Sequence, residues 1–344
     1  MLRFIFALSA LISVVYGQAD SSGGPVRIGP GVTVPKVIRR PEPTYSPEAR
    51  SAGIQGSVLF EIVVDEQGLP TNIHVISPLG YGLDERAQEA IAKWRFKPGL
   101  KNGNPIKILA NVEVNFRFQG AYFDAEAEKR RTEYNHSLSL IKGDSKQKES
   151  AVKILQDLTQ KKFPPAMYAY GQLLADGKNI PADPKQSDDL IRRAAQAKYG
   201  PAMFKLASVS LEEKGNSKTL KDGLEMMRDA AHLGSTQAQY FLGFANEHGN
   251  ADLAIRQDEE AARQYYRFCA AAGDILCQYR LGDLLLNQPN ERERDVPEAI
   301  AWLELSADQG EPQAKMLAER SRASLTQEQV KQVDSLKKQM VHRN

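Results

Sequence analysis

The chain has 344 residues, in which 45 lysines and arginines stand against 43 aspartates and glutamates, giving a formal charge of +2 with five histidines and two cysteines. So even a balance supplies no field to gather nucleic acid or another acidic polymer, and a nucleic-acid partner is not expected. The polarity pattern changes character along the chain and divides it.

Residues 1–19 begin Met1-Leu-Arg3, continue through an apolar run from Phe4 to Tyr16 and end in the small residues Gly17 and Ala19. This is the pattern of a secretory signal peptide. The run of about thirteen residues is shorter than the roughly twenty a membrane helix needs, so cleavage is expected, with an uncleaved membrane anchor as the alternative. Residues 20–35 are Gly/Pro-rich and read as a linker; Asp20 to Val34 would span only roughly 50 Å when extended.

Residues 36–120 carry strand and helix periods in a fixed order. Val58, Phe60, Ile62 and Val64 alternate with Ser57, Leu59, Glu61 and Val63, then Asp65-Glu-Gln-Gly68 supplies a turn, and Thr71 to Ile76 returns as the second arm of a hairpin. From Leu83 the period becomes helical, with Leu83, Ala87, Ala90, Ile91 and Trp94 on one stripe, Asp84 and Glu85 near the positive N-terminus and Pro98-Gly99 as the stop. The third strand places Ile106, Ile108, Ala110, Val112, Val114, Phe116 and Phe118 at even positions, so one face is expected buried and the other wet. A helix from Pro47 to Ala52 helps cover the sheet. The expected fold class here is α+β, a three-stranded antiparallel sheet with covering helices.

The order Tyr45…Glu48-Ala49-Arg50, Ala52-Gly53-Ile54-Gln55-Gly56, Gly82-Leu83-Asp84, Trp94-Arg95-Phe96-Lys97-Pro98-Gly99 and a closing V-E-V-N-F-R-F strand resembles the C-terminal domain of TonB energy transducers. It departs from that pattern after Tyr45, where the family usually has proline and this chain has Ser46 before Pro47. The resemblance implies a binding module, not an enzyme: the last strand lies at the sheet edge and accepts an extended peptide from a TonB-dependent outer-membrane receptor by β-strand addition. The residues so implicated are Ile108, Ala110, Val112, Glu113, Val114, Asn115 and Phe116. It also implies a periplasmic location, or an inner-membrane anchorage if residues 1–19 are retained. A working transducer of the family couples to a proton-driven motor through its first helix and crosses the periplasm on a long spacer. The apolar run here holds no charge or histidine and the spacer is short, which argues against force transmission.

From residue 121 the composition turns charged and Ala/Leu-rich without a strand pattern. Residues 121–147 read as a helical connector. Pro165–Gly171 (P-A-M-Y-A-Y-G), Pro201–Ala207, Gln237–Gly243 and Leu276–Gly282 align, with a half-repeat at Gln313–Ala318. Each is followed by a second helical pattern ending in small residues and a glycine. Leu190, Met226, Tyr265 and Trp302 occupy one large apolar position, five residues before the second small one. The repeat of about 34 to 39 residues resembles the Sel1-like repeat, a relative of the tetratricopeptide repeat, over residues 148–320, and implies an all-α solenoid of helix pairs with a concave face for a second protein. The charged segment 321–344, with a helix from Thr326 to Met340, reads as a cap on its far end.

The histidines are scattered and no nucleophile elbow, phosphate loop or dinucleotide fingerprint is present, so no catalytic, cofactor or metal site is expected. Clusters such as Lys129-Arg130-Arg131 and Glu291-Arg-Glu-Arg294 read as solvated surface, and Trp94 and Trp302 as core. Cys269 and Cys277 sit at small-residue positions on either side of the turn at Gly273-Asp274, where antiparallel helices would bring them within the roughly 4.4 to 6.8 Å that a bridge requires. A disulfide is expected if the chain is exported, and the same offset is found in cysteine-rich secreted proteins of the repeat family; two reduced core cysteines are the alternative.

Overall fold

The computed structural model describes residues 25–27, 31–46, 49–50, 54–117, 125–212, 217–288 and 295–341. The residues read as a signal peptide, half of the linker, part of the Pro47–Ala52 helix and Glu291–Arg294 lie outside them. The chain forms two compact units: one comprises residues up to Ala49, Gln55–Arg117 and Ala270 onward, and the other Arg50–Ile54 and Phe118–Cys269.

The first unit opens with a short strand β1 (Val26–Arg27) and β2 (Lys36–Arg39), followed by β3 (Gly56–Val64) and β4 (Pro70–Ser77). Helix α1 (Leu83–Ile91) leads to β5 (Arg95–Lys97), β6 (Gly99–Lys101), β7 (Asn104–Ile106) and β8 (Ile108–Phe116). The main sheet has the order β1-β8-β3-β4; β2 pairs with β5 and β6 with β7 as separate ribbons. The central ladder is antiparallel and unbroken from Gly56↔Phe116 to Val64↔Ile108. Strand alternation therefore puts Val58, Phe60, Ile62 and Val64, all fully buried, on the same face as Ile108, Ala110, Val112, Val114 and Phe116. Leu83, Ala87, Ile91 and Trp94 are buried with them. The expected α+β class and its apolar face are present.

Four details differ from the sequence reading. Helix α1 stops at Ile91; Trp94 lies beyond it, in a turn where its N–H meets the Ile91 carbonyl at 2.8 Å, and Arg95–Lys97 is a strand rather than the tail of a helix. Trp94 is core all the same, 1% exposed, its indole N–H donating to the Pro41 carbonyl at 3.1 Å. The end of the linker is stitched to the module: Val26 and Arg27 pair with Ile108 and Leu109, and Val32 bridges Lys101. Finally, the face expected to be wet is partly covered, since Leu59, Val63 and Asn111 are 3%, 4% and 5% exposed.

The second unit is helical: α2 (Ala125–Leu140), α3 (Ser145–Gln160), α4 (Pro164–Asp176), α5 (Pro184–Gln196), α6 (Gly200–Glu212), α7 (Ser217–His232), α8 (Thr236–His248) and α9 (Glu259–Ala271, which runs to the boundary). Consecutive helices from α2 to α8 pack on one another. Caps fix the starts: Asp144 and Gln147 form a reciprocal capping box, and Asp183 and Ser235 accept from the third residue beyond. Small residues set the spacing. A Cβ on Gly171 would meet Ile191 at 3.1 Å, and one on Gly243 would meet the Tyr266 ring at 2.7 Å. The shared large apolar position is kept by Leu190, but Met226 and Tyr265 are only half-buried; Met227 and Tyr266, one residue later, are fully buried in their place.

The first unit is completed by α10 (Ile275–Leu286), α11 (Val296–Asp308), α12 (Pro312–Arg322) and α13 (Gln327–Val341). Helix α11 is buried along most of its length, with Ala299, Ile300, Ala301, Leu303 and Trp302 at 0 or 1% exposure, because α10, α12 and α13 all pack on it. Helix α13, expected to cap the far end of the array, lies along α11: Lys337 reaches Asp308 at 2.8 Å and Glu304 at 3.3 Å, while Arg322 of α12 pairs with both Glu304 and Asp334.

Candidate binding surfaces

Strand β8 carries the residues singled out for peptide capture. Ile108, Ala110, Val112, Val114 and Phe116 point into the core, at 0, 7, 5, 0 and 2% exposure, while Glu113 and Asn115 are half-buried on the other face. What β8 can offer a partner is thus its backbone edge more than its side chains. The sheet order corrects the expected placement, because β8 is flanked by β1 and is not the outermost strand. The pairing with β1 is parallel and limited to Ile108 and Leu109. From Ala110 to Phe116, β3 is the sole ladder partner among the described residues. The N–H and C=O groups that face away from β3 there form a strand edge.

The loop before α1 is tightly constrained. Gly80, Tyr81 and Gly82 have φ of 77°, 57° and 73°, three successive left-handed residues of which Tyr81 carries a Cβ penalty. Asp84 holds the loop, accepting from the Leu79 and Gly80 N–H groups at 2.7 and 2.8 Å. Burial pushes its carboxyl up to about 6 despite those two hydrogen bonds. Ser46, the departure from the family pattern, is 3% exposed; its hydroxyl donates to the Tyr81 carbonyl and accepts from the Ala49 N–H at 3.1 Å, so it caps the segment at Ala49 and clamps the strained residue together. Tyr45 stacks edge-on against Phe116 at the end of β8, with ring centroids 5.4 Å apart. The sequence reading assigned Asp84 only to the helix dipole and missed the role of Ser46; the positive-φ run G-Y-G was the signal.

Cys269 and Cys277 are both fully buried, and neither is a free thiol.

Among the comparisons with known proteins, residues 41–118 match the family model for the Gram-negative bacterial TonB protein C-terminal, and residues 164–199, 236–274 and 275–311 match the Sel1 repeat. Residues 200–235, outside those matches, form the pair α6 and α7. Protein TonB of Vibrio cholerae serotype O1 is 35% identical over 80 residues, 23% of this chain and 33% of that protein. Protein TonB of Xanthomonas campestris pv. campestris is 37% identical over 90 residues, 26% of this chain and 40% of that protein. The chain thus spans about a third to two fifths of these curated relatives. A solved Sel1 repeat protein from Oxalobacter formigenes is 24% identical, with 50% of this chain and 49% of that chain covered at a TM-score of 0.42.

Proposed function

We propose that this protein is an envelope adaptor that captures an extended peptide on β8 by strand addition and holds a second protein through its repeats. The match of residues 41–118 to the TonB C-terminal family supports a protein-interaction role for the β module. The observation that carries the finer reading is the backbone edge from Ala110 to Phe116, paired on one side only among the described residues. Main-chain hydrogen bonds along such an edge give affinity, and side chains of the incoming strand give selectivity. The peptide expected is a segment of a TonB-dependent outer-membrane receptor, which places the protein in the periplasm.

Fluorescence anisotropy with labelled receptor plug peptides tests this. Saturable, sequence-dependent binding to the full chain is expected, with a loss of at least about tenfold, or about 1.4 kcal/mol, when an outward N–H is removed. Successive N–H groups of a strand point to opposite edges, so Glu113→Pro and Val114→Pro form a matched pair: one removes an outward donor, the other breaks the ladder to β3. If the wild type does not bind, or if both members of the pair, shown folded, bind as the wild type does, strand addition at β8 is wrong. A second reading has its own support: the β module forms one compact unit with residues from Ala270 onward, so it could serve to anchor those helices within a repeat scaffold. That reading predicts no peptide binding and a large loss of stability when α13 is deleted.

A further inference from the structure

Inside the first compact unit, a cavity of about 510 Å³ separates the second face of the sheet from the C-terminal helices. Its size falls within the roughly 300 to 1,000 Å³ of small-molecule sites. The sheet wall is built from Ile76 and a cross-strand row in which the registers Glu61↔Asn111 and Glu61↔His74 line up β8, β3 and β4. The opposite wall is the start of α11, with Asp295 and Glu298, and one face of α13, where Glu328, Lys331 and Gln339 follow at helical spacing. Read from sequence, α13 is a charged cap; in the structure this face of it is turned towards a sheet.

Two amides on these walls have hydrogen-bonding capacity left unfilled. Asn111 is 5% exposed, and none of the hydrogen bonds among the described residues involves its side chain. Gln339 donates to Ser335 at 3.3 Å, but its carbonyl oxygen is buried without a hydrogen bond. A buried acceptor left unsatisfied costs on the order of 1 to 3 kcal/mol, which an occupant offering N–H donors removes. The charges on the walls point the same way. Four carboxylates, Glu61, Asp295, Glu298 and Glu328, outnumber the cationic Lys331, with His74 beside them. One oxygen of Glu298 already accepts from the Trp302 indole at 3.1 Å. No group of three His, Cys, Asp or Glu side chains among the described residues is arranged to hold a metal ion. Spread carboxylates with unpartnered amide carbonyls suit an organic cation with several N–H donors.

We infer that this cavity is a binding site for a small amine-bearing cation of the polyamine or basic amino acid class. It is independent of peptide capture on β8, since it uses the face of the sheet and not its edge. The test is calorimetric titration of the full chain with spermidine and, separately, with free arginine, citrate serving as the anionic control. One saturable site is expected for at least one of the two amines and none for citrate, and the tighter amine names the subclass. Glu328→Gln, at an exposed position on α13, and Gln339→Leu, which removes the orphan acceptor, should each weaken binding at least tenfold, whereas Glu149→Gln on helix α3, which does not line the cavity, should leave it unchanged. Failure of both amines to bind the folded chain at millimolar concentration would overturn the inference. So would binding that survives both cavity substitutions, or that falls equally with Glu149→Gln, as general attraction to surface acid would produce.

Discussion

Asp84 connects a buried charge to the stability of the β module. Its carboxyl titrates at about 6 in the folded chain, above its ordinary value of 3.8, because burial disfavours the ionised form more than the two loop N–H groups favour it. A group whose folded value is raised contributes stability that is fully present below the unfolded value and is lost as pH rises through the folded one. The change of about two units corresponds to about 3 kcal/mol, lost between about pH 4 and pH 7. Asp84→Asn cannot titrate, and it also gives up one of the two acceptors. Urea denaturation at pH 4.5 and 7.5 should therefore show wild type gaining on the variant as the pH is lowered; a difference between the two proteins that stays constant with pH would refute the account. Tyr81 explains why the chain keeps such a carboxyl, since its left-handed conformation persists only while Asp84 and Ser46 hold the loop on both sides.

At the scale of elements, glycines inside the helices give the clearest forecast. Gly282 lies within α10, where alanine would ordinarily stabilise a helix by about 1 kcal/mol. Here an added Cβ would meet Leu303 at 2.6 Å and the Ala299 carbonyl oxygen at 2.9 Å, and α11 is too tightly surrounded to retreat. Gly282→Ala should instead destabilise by about 1 to 3 kcal/mol, read as a lowered thermal midpoint; an unchanged or raised midpoint would contradict the packing. The same elements show what a sequence can reveal. β3, β8 and the paired helices were legible because burial on one face imposes a period of 2 or 3.6 over many residues. The pairing of β1, only two residues long, leaves no period to find, and the strand Arg95–Lys97 was hidden by the apolar Trp94 continuing the stripe of α1 up to Pro98-Gly99. The wet side of β8 was misjudged at Asn111, since nothing in a polar residue says that a distant helix will cover it. The edge itself was legible from family resemblance, but its limit at Ala110 was not.

At the scale of the whole molecule, oxidation and chain topology matter most. With neither cysteine free, the protein should give no reactive thiol when denatured without reductant; two thiols per chain would show that the bridge does not form in the cell. Its short loop implies a stabilisation on the order of 2 to 3 kcal/mol. The first unit is assembled from two stretches of chain separated by about 150 residues that belong to the other unit. The sheet is made early and α13 last, so during synthesis the β module must wait with the row Asn111–Glu61–His74 uncovered until residue 341 has emerged. Closing so long a loop is slow because contacts far apart in sequence must form before they are rewarded, although each doubling of loop length adds only about 0.6 kcal/mol. The order of events is thereby set by the chain: the strand edge exists as soon as β3 and β8 have paired, whereas the walled cavity exists only in a molecule whose C-terminus is intact. A nascent or clipped chain would keep the first surface and lack the second.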